Sequence, residues 1–343
     1  MSKKMNEIKI NADLSIGDEK TFIIAEIGSN HNQSLELAFE TIDAAKDSGA
    51  DAVKFQSLNR EKLYYDPTPE IIELYNKIDL EEDWHYKLNE YCIKKDILFF
   101  SSPTYLDAVD ILEDIDVPIY KLASAQIGSF PQIIERVAHL GKPVILSTGL
   151  VTYGELDQVM QIFKKAGNNK ICILHCNSIY PTPFHRVHLP IMNIYKTMYD
   201  VQVGFSDHTP DVFAPVAAVT MGAKVIEKHF TLSKELPVPD APISIDPFEF
   251  RRMVEGIRAA EQLIKPEVRM NIEKEEKQFK DSLRMVLVMN KDKKGGEIVE
   301  NGDFRFMRHS EGINCKEIDT IVGKQYRQDV MQGTLLKPTH IGS

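Results

Sequence analysis

The chain is poor in most features that would place it in a specialised class. It has one tryptophan and four cysteines in 343 residues, and Cys92, Cys172, Cys176 and Cys315 form no C-x-x-C pair. Neither a disulfide framework nor a closed structural zinc site is therefore encoded. The thiols are expected to be reduced core residues, with Cys172 and Cys176 on one face of a strand. No apolar run approaches the roughly 20 residues needed to span a bilayer, and the polar start from Met1 to Glu7 has no apolar segment behind it. A cytoplasmic protein without a membrane partner is expected. Positive charge is not in excess: 41 Lys and Arg against 51 Asp and Glu give a net charge of −10, which argues against nucleic acid as a partner. Low-complexity tracts and a glycine or proline excess are also missing, which excludes fibrous and disordered classes.

What is present is a repeating rhythm. After a short β element in the first twenty residues, strand-like runs cover Phe22 to Gly28, Ala52 to Gln56, Leu98 to Pro103, Ile119 to Ser124, Pro143 to Thr148, Ile171 to Ser178, Val201 to His208 and Val225 to Leu232. Helical periodicity lies between them, as in Leu35 to Ser48, Asp83 to Lys95, Phe130 to Leu140, Glu155 to Ala166 and Val212 to Met221, and a last helix runs from Phe248 to Ile264. Alternating β and α units imply a parallel sheet. Eight such units without a G-x-G-x-x-G turn after the first strand predict a (β/α)8 TIM barrel over residues 1–264 rather than an open nucleotide-binding sheet. Residues 265–281 are highly charged and read as a linker or exposed helix, and residues 282–343 read as a small, mainly β module.

Barrels of this kind carry their chemistry at the C-terminal ends of the strands. Here every predicted strand finishes in polar residues, among them Glu26, Lys54, Gln56, Ser102, Lys121, Ser124, Ser147, Ser178, Ser206, Asp207, Glu227 and His229. Lysines inside buried strands cost desolvation energy unless a carboxylate or an anionic ligand compensates them. Lys54 and Lys121, with serine hydroxyls around one mouth, therefore suggest a cradle for phosphate and carboxylate, and the competing structural reading pairs each lysine with Glu26 or Glu227. His208 and His229 end neighbouring strands and could share one divalent metal, Mn2+, Mg2+ or Co2+, with oxygen donors completing the shell. His31, beside Glu26, is the one other histidine with a claim to the mouth.

The strings Ala25-Glu26-Ile27-Gly28-Ser29-Asn30-His31-Asn32, Lys54-Phe55-Gln56, Ser147-Thr148-Gly149, Tyr180-Pro181-Thr182-Pro183, Gly204-Phe205-Ser206-Asp207-His208-Thr209 and Ile226-Glu227-Lys228-His229-Phe230 resemble the N-acetylneuraminate (sialic acid) synthase family, which includes legionaminic and pseudaminic acid synthases. The resemblance spans nearly the whole chain and implies that residues 282–343 form an antifreeze-like (SAF) domain. It implies condensation of phosphoenolpyruvate with an N-acyl amino sugar aldehyde to a nonulosonic acid and phosphate. Lys54, Ser102, Lys121, Ser124, Ser147, Ser178 and Ser206 would bind phosphoenolpyruvate, and His208 and His229 would hold the metal, Mn2+ first. Gln56, Tyr180, Asp240 and Arg308 would meet the sugar, with Arg308 supplied by the partner in a domain-swapped homodimer. Glu26, then Glu227 or Asp207, would serve as general acid or base.

Two departures stand out. The family usually carries an acid where this chain has Gln126, which cannot abstract a proton. Val238-Pro239-Asp240-Ala241-Pro242 is a bulkier loop than the usual Gly-Pro-Asp. These leave open a non-acylated sugar or sugar phosphate as substrate, or a catalytically impaired sugar-binding homologue.

Overall fold

A computed structural model of the chain describes residues 7–265 and 269–342. The chain divides after Lys265 into two compact units. In the first, β1 (Ile8–Lys9) and β2 (Ser15–Ile16) form an antiparallel hairpin. There follow β3 (Phe22–Gly28), β4 (Ala52–Ser57), β5 (Leu98–Pro103), β6 (Tyr120–Leu122), β7 (Val144–Ser147), β8 (Ile171–Cys176), β9 (Gln202–Asp207) and β10 (Val225–His229). These eight pair in the order β5-β4-β3-β10-β9-β8-β7-β6, and the sheet curls until β5 and β6 lie side by side. Every registered ladder among them is parallel. At least one helix follows each strand, so the unit is a nearly closed TIM-like barrel, as the alternating pattern predicts.

Local chemistry sets the helix ends. Thr152 and Glu155 form a reciprocal capping box at the start of helix Tyr153–Ala166, and Asp246 and Glu249 do the same for helix Pro247–Leu263. The sequence reading missed helices Pro69–Ile78, Leu106–Asp114 and Ile191–Tyr199, and it ran several strands too long. β6 stops at Leu122, and Ser124–Ile127 already turns as a short helix; β8 stops at Cys176 and β10 at His229. Ser124 and Ser178 therefore lie beyond the ladder, whereas Glu26, Lys54, Gln56, Ser102, Lys121, Ser147, Ser206 and Glu227 still pair within it.

The period of two along each strand sorts the side chains. Ile23, Ala25, Ile27, Val53, Phe55 and Phe99 face outward into the layer between sheet and helices. The alternate residues Phe22, Ile24, Ala52, Phe100, Ile145, Cys172, Leu174 and Val225 fill the barrel interior together with Ile8, Ile10 and Ile16, so the hairpin seals the floor. Gly204 occupies one of these inward positions because a Cβ there would collide with the Val225 carbonyl and the Leu174 side chain. Continuing the inward register upward from this apolar layer leads to Glu26, Lys54, Ser102, Lys121, Ser147, Ser206 and Glu227.

In the second unit, β11 (Met285–Met289) pairs antiparallel with β12 (Phe304–Arg308). Isolated bridges such as Lys293–Val330 and Tyr326–Ile341 complete a small β framework around Leu287, Met289, Tyr326 and Leu336. Of the charged segment 265–281, residues 266–268 lie outside the described residues, and helix Lys274–Ser282 buries none of its side chains. Among the described residues no helix is long and apolar enough to cross a membrane.

Candidate active site

The upper layer of the barrel interior is a connected charge network. Lys54 Nζ lies 2.6 Å from Glu26 Oε2 and 3.7 Å from Glu227 Oε2, while Lys121 Nζ lies 3.5 Å from Glu227 Oε1. Gln56 donates to Glu26 Oε1 at 2.7 Å, Ser206 donates to Glu227 Oε1 at 2.9 Å, and Lys54 reaches Ser102 Oγ at 3.5 Å. The two ammonium groups thus share one carboxylate, as a single pool of charge requires. The ion pairs foreseen by the structural reading are also present, so each lysine faces a carboxylate before any ligand arrives.

Burial makes this network electrostatically strong. Burial disfavours a charged Lys54, but Glu227 and Glu26 overcome it and hold the ammonium above its usual range. For Lys121 burial wins: the attraction of Glu227 does not compensate, Lys54 adds repulsion, and the amine falls below its usual range. Glu227 is held down to about 2, since Lys121, Lys54 and the Ser206 hydroxyl outweigh its own desolvation.

Around this floor sit the neutral groups. Ser124 and Ser178 approach to 3.4 Å between hydroxyls, and the buried Ser147 Oγ has no hydrogen-bond partner among the described residues. The His208 and His229 rings lie with centroids 5.3 Å apart, and Tyr180 packs 4.2 Å from His208 and 6.2 Å from His229. His208 Nδ1 donates to the Asn177 carbonyl at 2.6 Å, which leaves Nε2 as the free lone pair. Burial, reinforced by His229, pushes His208 down to about 3, so its imidazole is neutral. His229 Nδ1 is buried without a hydrogen-bond partner and faces Asp240 Oδ2 at 4.0 Å. Asp240 in turn accepts from Ser29 Oγ at 2.9 Å. Gly28, at φ 54°, lets Asp240 come this close, since a Cβ there would stand 2.9 Å from Asp240 Oδ2.

Two imidazoles, that of His208 neutral and that of His229 with an orphaned buried nitrogen and a carboxylate beside it, fit a shared divalent cation. Among the described residues no group of three His, Cys, Asp or Glu side chains forms a complete cage. The remaining coordination positions would fall to water or substrate oxygens.

Three sequence candidates of the first unit, Asp207, Gln126 and His31, lie outside this network. Asp207 points to the opposite face of β9, where its carboxylate meets the fully buried Lys228 Nζ at 2.6 Å and accepts from Thr209 N at 2.8 Å. The strand alternation explains this correction: with Ser206 inward, Asp207 must face outward, so it is not a mouth residue. Gln126 sits on the short helix after β6 and lines a neighbouring cleft. Arg308 ends β12 in the second unit. His31 is fully buried against Trp84, and burial pushes it down to about 4. The sequence reading missed Ser29 as the anchor of Asp240, although it lies next to Gly28 in the same string, and it missed the Asn177 carbonyl, which has no side-chain signal at all.

The NeuB family model matches residues 41–269. The chain is 34% identical to the N,N'-diacetyllegionaminic acid synthase of Campylobacter jejuni over 330 residues, which cover 91% of this chain and 98% of that protein. It is 35% identical to the pseudaminic acid synthase of Campylobacter jejuni over 334 residues, 93% of this chain and 96% of that one. The crystal structure of an N-acetylneuraminic acid synthetase from Leptospira borgpetersenii in complex with citrate aligns with a TM-score of 0.74 at 32% identity, covering 82% of this chain and 97% of that chain. The chain belongs to the NeuB family, the group that its strand-end motifs resemble.

Proposed function

We propose that this protein condenses phosphoenolpyruvate with the open aldehyde form of an amino sugar, giving a nonulosonic acid and inorganic phosphate. The observation that carries the reading is the pair Lys54 and Lys121 bridged by Glu227 inside a buried mouth. An enol phosphate bears two anionic ends, and the two ammonium groups with the surrounding serines offer a separate set of donors to each. Glu26 and Glu227 already balance the lysines, so an incoming polyanion adds charge that needs a further cation. His208 and His229 would hold it, with Mn2+ the first choice and Mg2+ or Co2+ also compatible with the donor set. When bound, the ion supplies Lewis-acid polarisation at the sugar's carbonyl oxygen.

The chain's own groups do the rest. Lys54, Lys121, Ser102, Ser124, Ser147, Ser178 and Ser206 fix phosphoenolpyruvate so that C3 faces the aldehyde carbon. Gln56, Tyr180 and Asp240 position the sugar, with Asp240 steadied by Ser29. Carbon–carbon bond formation makes C2 electron-deficient, water adds there, and C–O cleavage releases phosphate. Glu26, held by Lys54 and Gln56, is the first candidate to carry protons to and from the reacting oxygens, with Glu227 next. The antifreeze-like reading of residues 282–343, the domain-swapped homodimer and a sugar contact from Arg308 rest on the family resemblance.

The test is direct. Purified protein is incubated with phosphoenolpyruvate, Mn2+ and a panel of acylated, non-acylated and phosphorylated sugars, and released phosphate is measured. Phosphate from an acylated amino sugar supports the reading. No release with any sugar would refute it and favour a sugar-binding homologue without turnover.

A further inference from the structure

The string that brings Glu26 and Gly28 to the mouth continues into Asn30, a residue to which the proposed reaction gives no part. Its side chain is fully buried, and its two amide hydrogens go to the two ends of one loop. Asn30 Nδ2 donates to the Phe230 carbonyl at 2.8 Å and to Ser244 Oγ at 2.9 Å. Ser244, itself buried, donates its own proton to the Asp240 carbonyl at 2.6 Å. A hydroxyl has one proton, so with that proton committed Ser244 accepts from Asn30, and the relay runs in one direction. Flipping the amide would set its oxygen against the Phe230 carbonyl, which fixes the placing of N and O.

The relay ends at the cation site. Phe230 directly follows His229, and Ile245 N donates to the His229 carbonyl at 2.9 Å. The stretch between, from Thr231 to Ser244, has no strand and one short turn of helix at Ala241–Ile243. Pro237, Pro239 and Pro242 in it supply no N–H. From Leu236 to Ser244 the backbone bonds are local turns, so side chains tie this stretch to the barrel. Asp240 is what the loop delivers: its Oδ2 accepts from Ser29 Oγ at 2.9 Å and faces His229 Nδ1 at 4.0 Å. Ser29 clamps the carboxylate, whereas Ser244 and Asn30 clamp the backbone that carries it.

We propose that Asn30 and Ser244 are positioning residues for the divalent cation: together they hold the Asp240 carboxylate beside His229. Neither touches a reacting atom. Ser244 acts through Asp240 alone, and Asn30 acts through Ser244 and through the carbonyl next to His229. The inference rests on the assignment of the cation to His208 and His229, and it adds two residues on which the affinity of that site depends.

The experiment titrates Mn2+ by calorimetry into the substrate-free protein, Ser244→Ala, Asp240→Asn and the double variant. Ser244→Ala removes one oxygen and adds no volume, so it should keep the fold, which circular dichroism checks. It is expected to weaken Mn2+ binding by roughly 10-fold. In the Asp240→Asn background the same change should alter the Mn2+ Kd by no more than about 2-fold, because its effect passes through Asp240. Full affinity in Ser244→Ala, or a loss equally large with Asp240 present and replaced, overturns the relay. Should Asp240→Asn bind too weakly to titrate, Ser244→Thr decides: affinity restored with the hydroxyl supports the relay, and affinity as low as that of Ser244→Ala overturns it. Asn30→Asp keeps the shape and removes both donors, so it should weaken Mn2+ at least as far, and unaltered binding there also overturns the relay. No uptake by the unchanged protein would overturn the cation assignment and this inference with it. Phosphate release is measured in parallel: if no sugar yields phosphate the synthase reading fails by itself, and the Mn2+ titrations still decide the relay.

Discussion

Lys54 and Lys121 look equivalent in the sequence, yet their surroundings predict opposite responses to the same substitution. Lys54 is held charged by two carboxylates, one of them at 2.6 Å. Lys54→Met would leave Glu26 Oε2 facing an apolar chain in a dry interior, and breaking such a buried pair costs about 3–5 kcal/mol. At roughly 2–4 °C of midpoint per kcal/mol for a domain of this size, the melting temperature should fall by about 6–20 °C. Lys121 has a single carboxylate at 3.5 Å, and burial outweighs that attraction. In Lys121→Met, Glu227 keeps Lys54 at 3.7 Å and the Ser206 hydroxyl at 2.9 Å. The desolvation cost of the ammonium disappears, so the midpoint should stay within about 1 kcal/mol of the original or rise. Both variants should lose phosphate release and any thermal shift on adding phosphoenolpyruvate. Calorimetric melting of the three proteins at pH 7 measures this, and a Lys121→Met midpoint depressed as far as that of Lys54→Met would refute the assignment of unequal electrostatics.

Other outcomes follow from the same geometry. His31 is pushed from 6.5 to about 4 by burial, so the unfolded chain binds the proton more readily; its contribution is complete above pH 6.5 and is lost as pH falls toward 4. Between pH 6.5 and 5 that is about 2 kcal/mol, and His31→Phe should flatten the urea-unfolding profile over this interval by that amount. His208→Ala should abolish Mn2+ binding in titration calorimetry and all metal-dependent turnover while far-ultraviolet circular dichroism is unchanged; retained binding would remove the cation assignment. Gly204→Ala should destabilise the barrel by about 1–3 kcal/mol, because the new methyl must displace the Val225 carbonyl or Leu174, and a neutral result would mean that this interior is less tightly packed than described. Arg308→Ala should raise the KM for the sugar with little change in that for phosphoenolpyruvate, and an unaltered sugar response argues against the contact.

The barrel was legible because two periodicities are written plainly in the chain. Continuous apolar strands such as Phe22–Gly28 alternate with amphipathic helices such as Leu35–Asp47, and no other signal is needed to predict a wound parallel sheet. The mouth was legible for the same reason, since Lys54 and Glu227 interrupt otherwise apolar strands. Asp207 was misplaced although the alternation carries the answer: its neighbour Ser206 faces inward, and its partner Lys228 is the residue beside Glu227. Gln126 was harder, because the chain turns into a helix right after β6, and strand alternation stops at Leu122. The Asn177 carbonyl that sets the His208 tautomer belongs to the backbone and leaves no trace in composition. In the second unit, β11 and β12 are short and the rest is held by isolated bridges, so the strand pattern there is too brief to define a topology.

The hairpin that corks the lower end of the barrel has a kinetic consequence. With Ile8, Ile10 and Ile16 packed beneath the interior, reactants and products have one doorway in common. Lys54 and Lys121 are each 2% exposed, whereas Tyr180, which would meet the sugar, is 50% exposed. On the proposed reaction the deeper guest has to arrive first, and the outer one then stoppers it in place. Double-reciprocal plots should therefore show a sequential order, with the aldehyde always second.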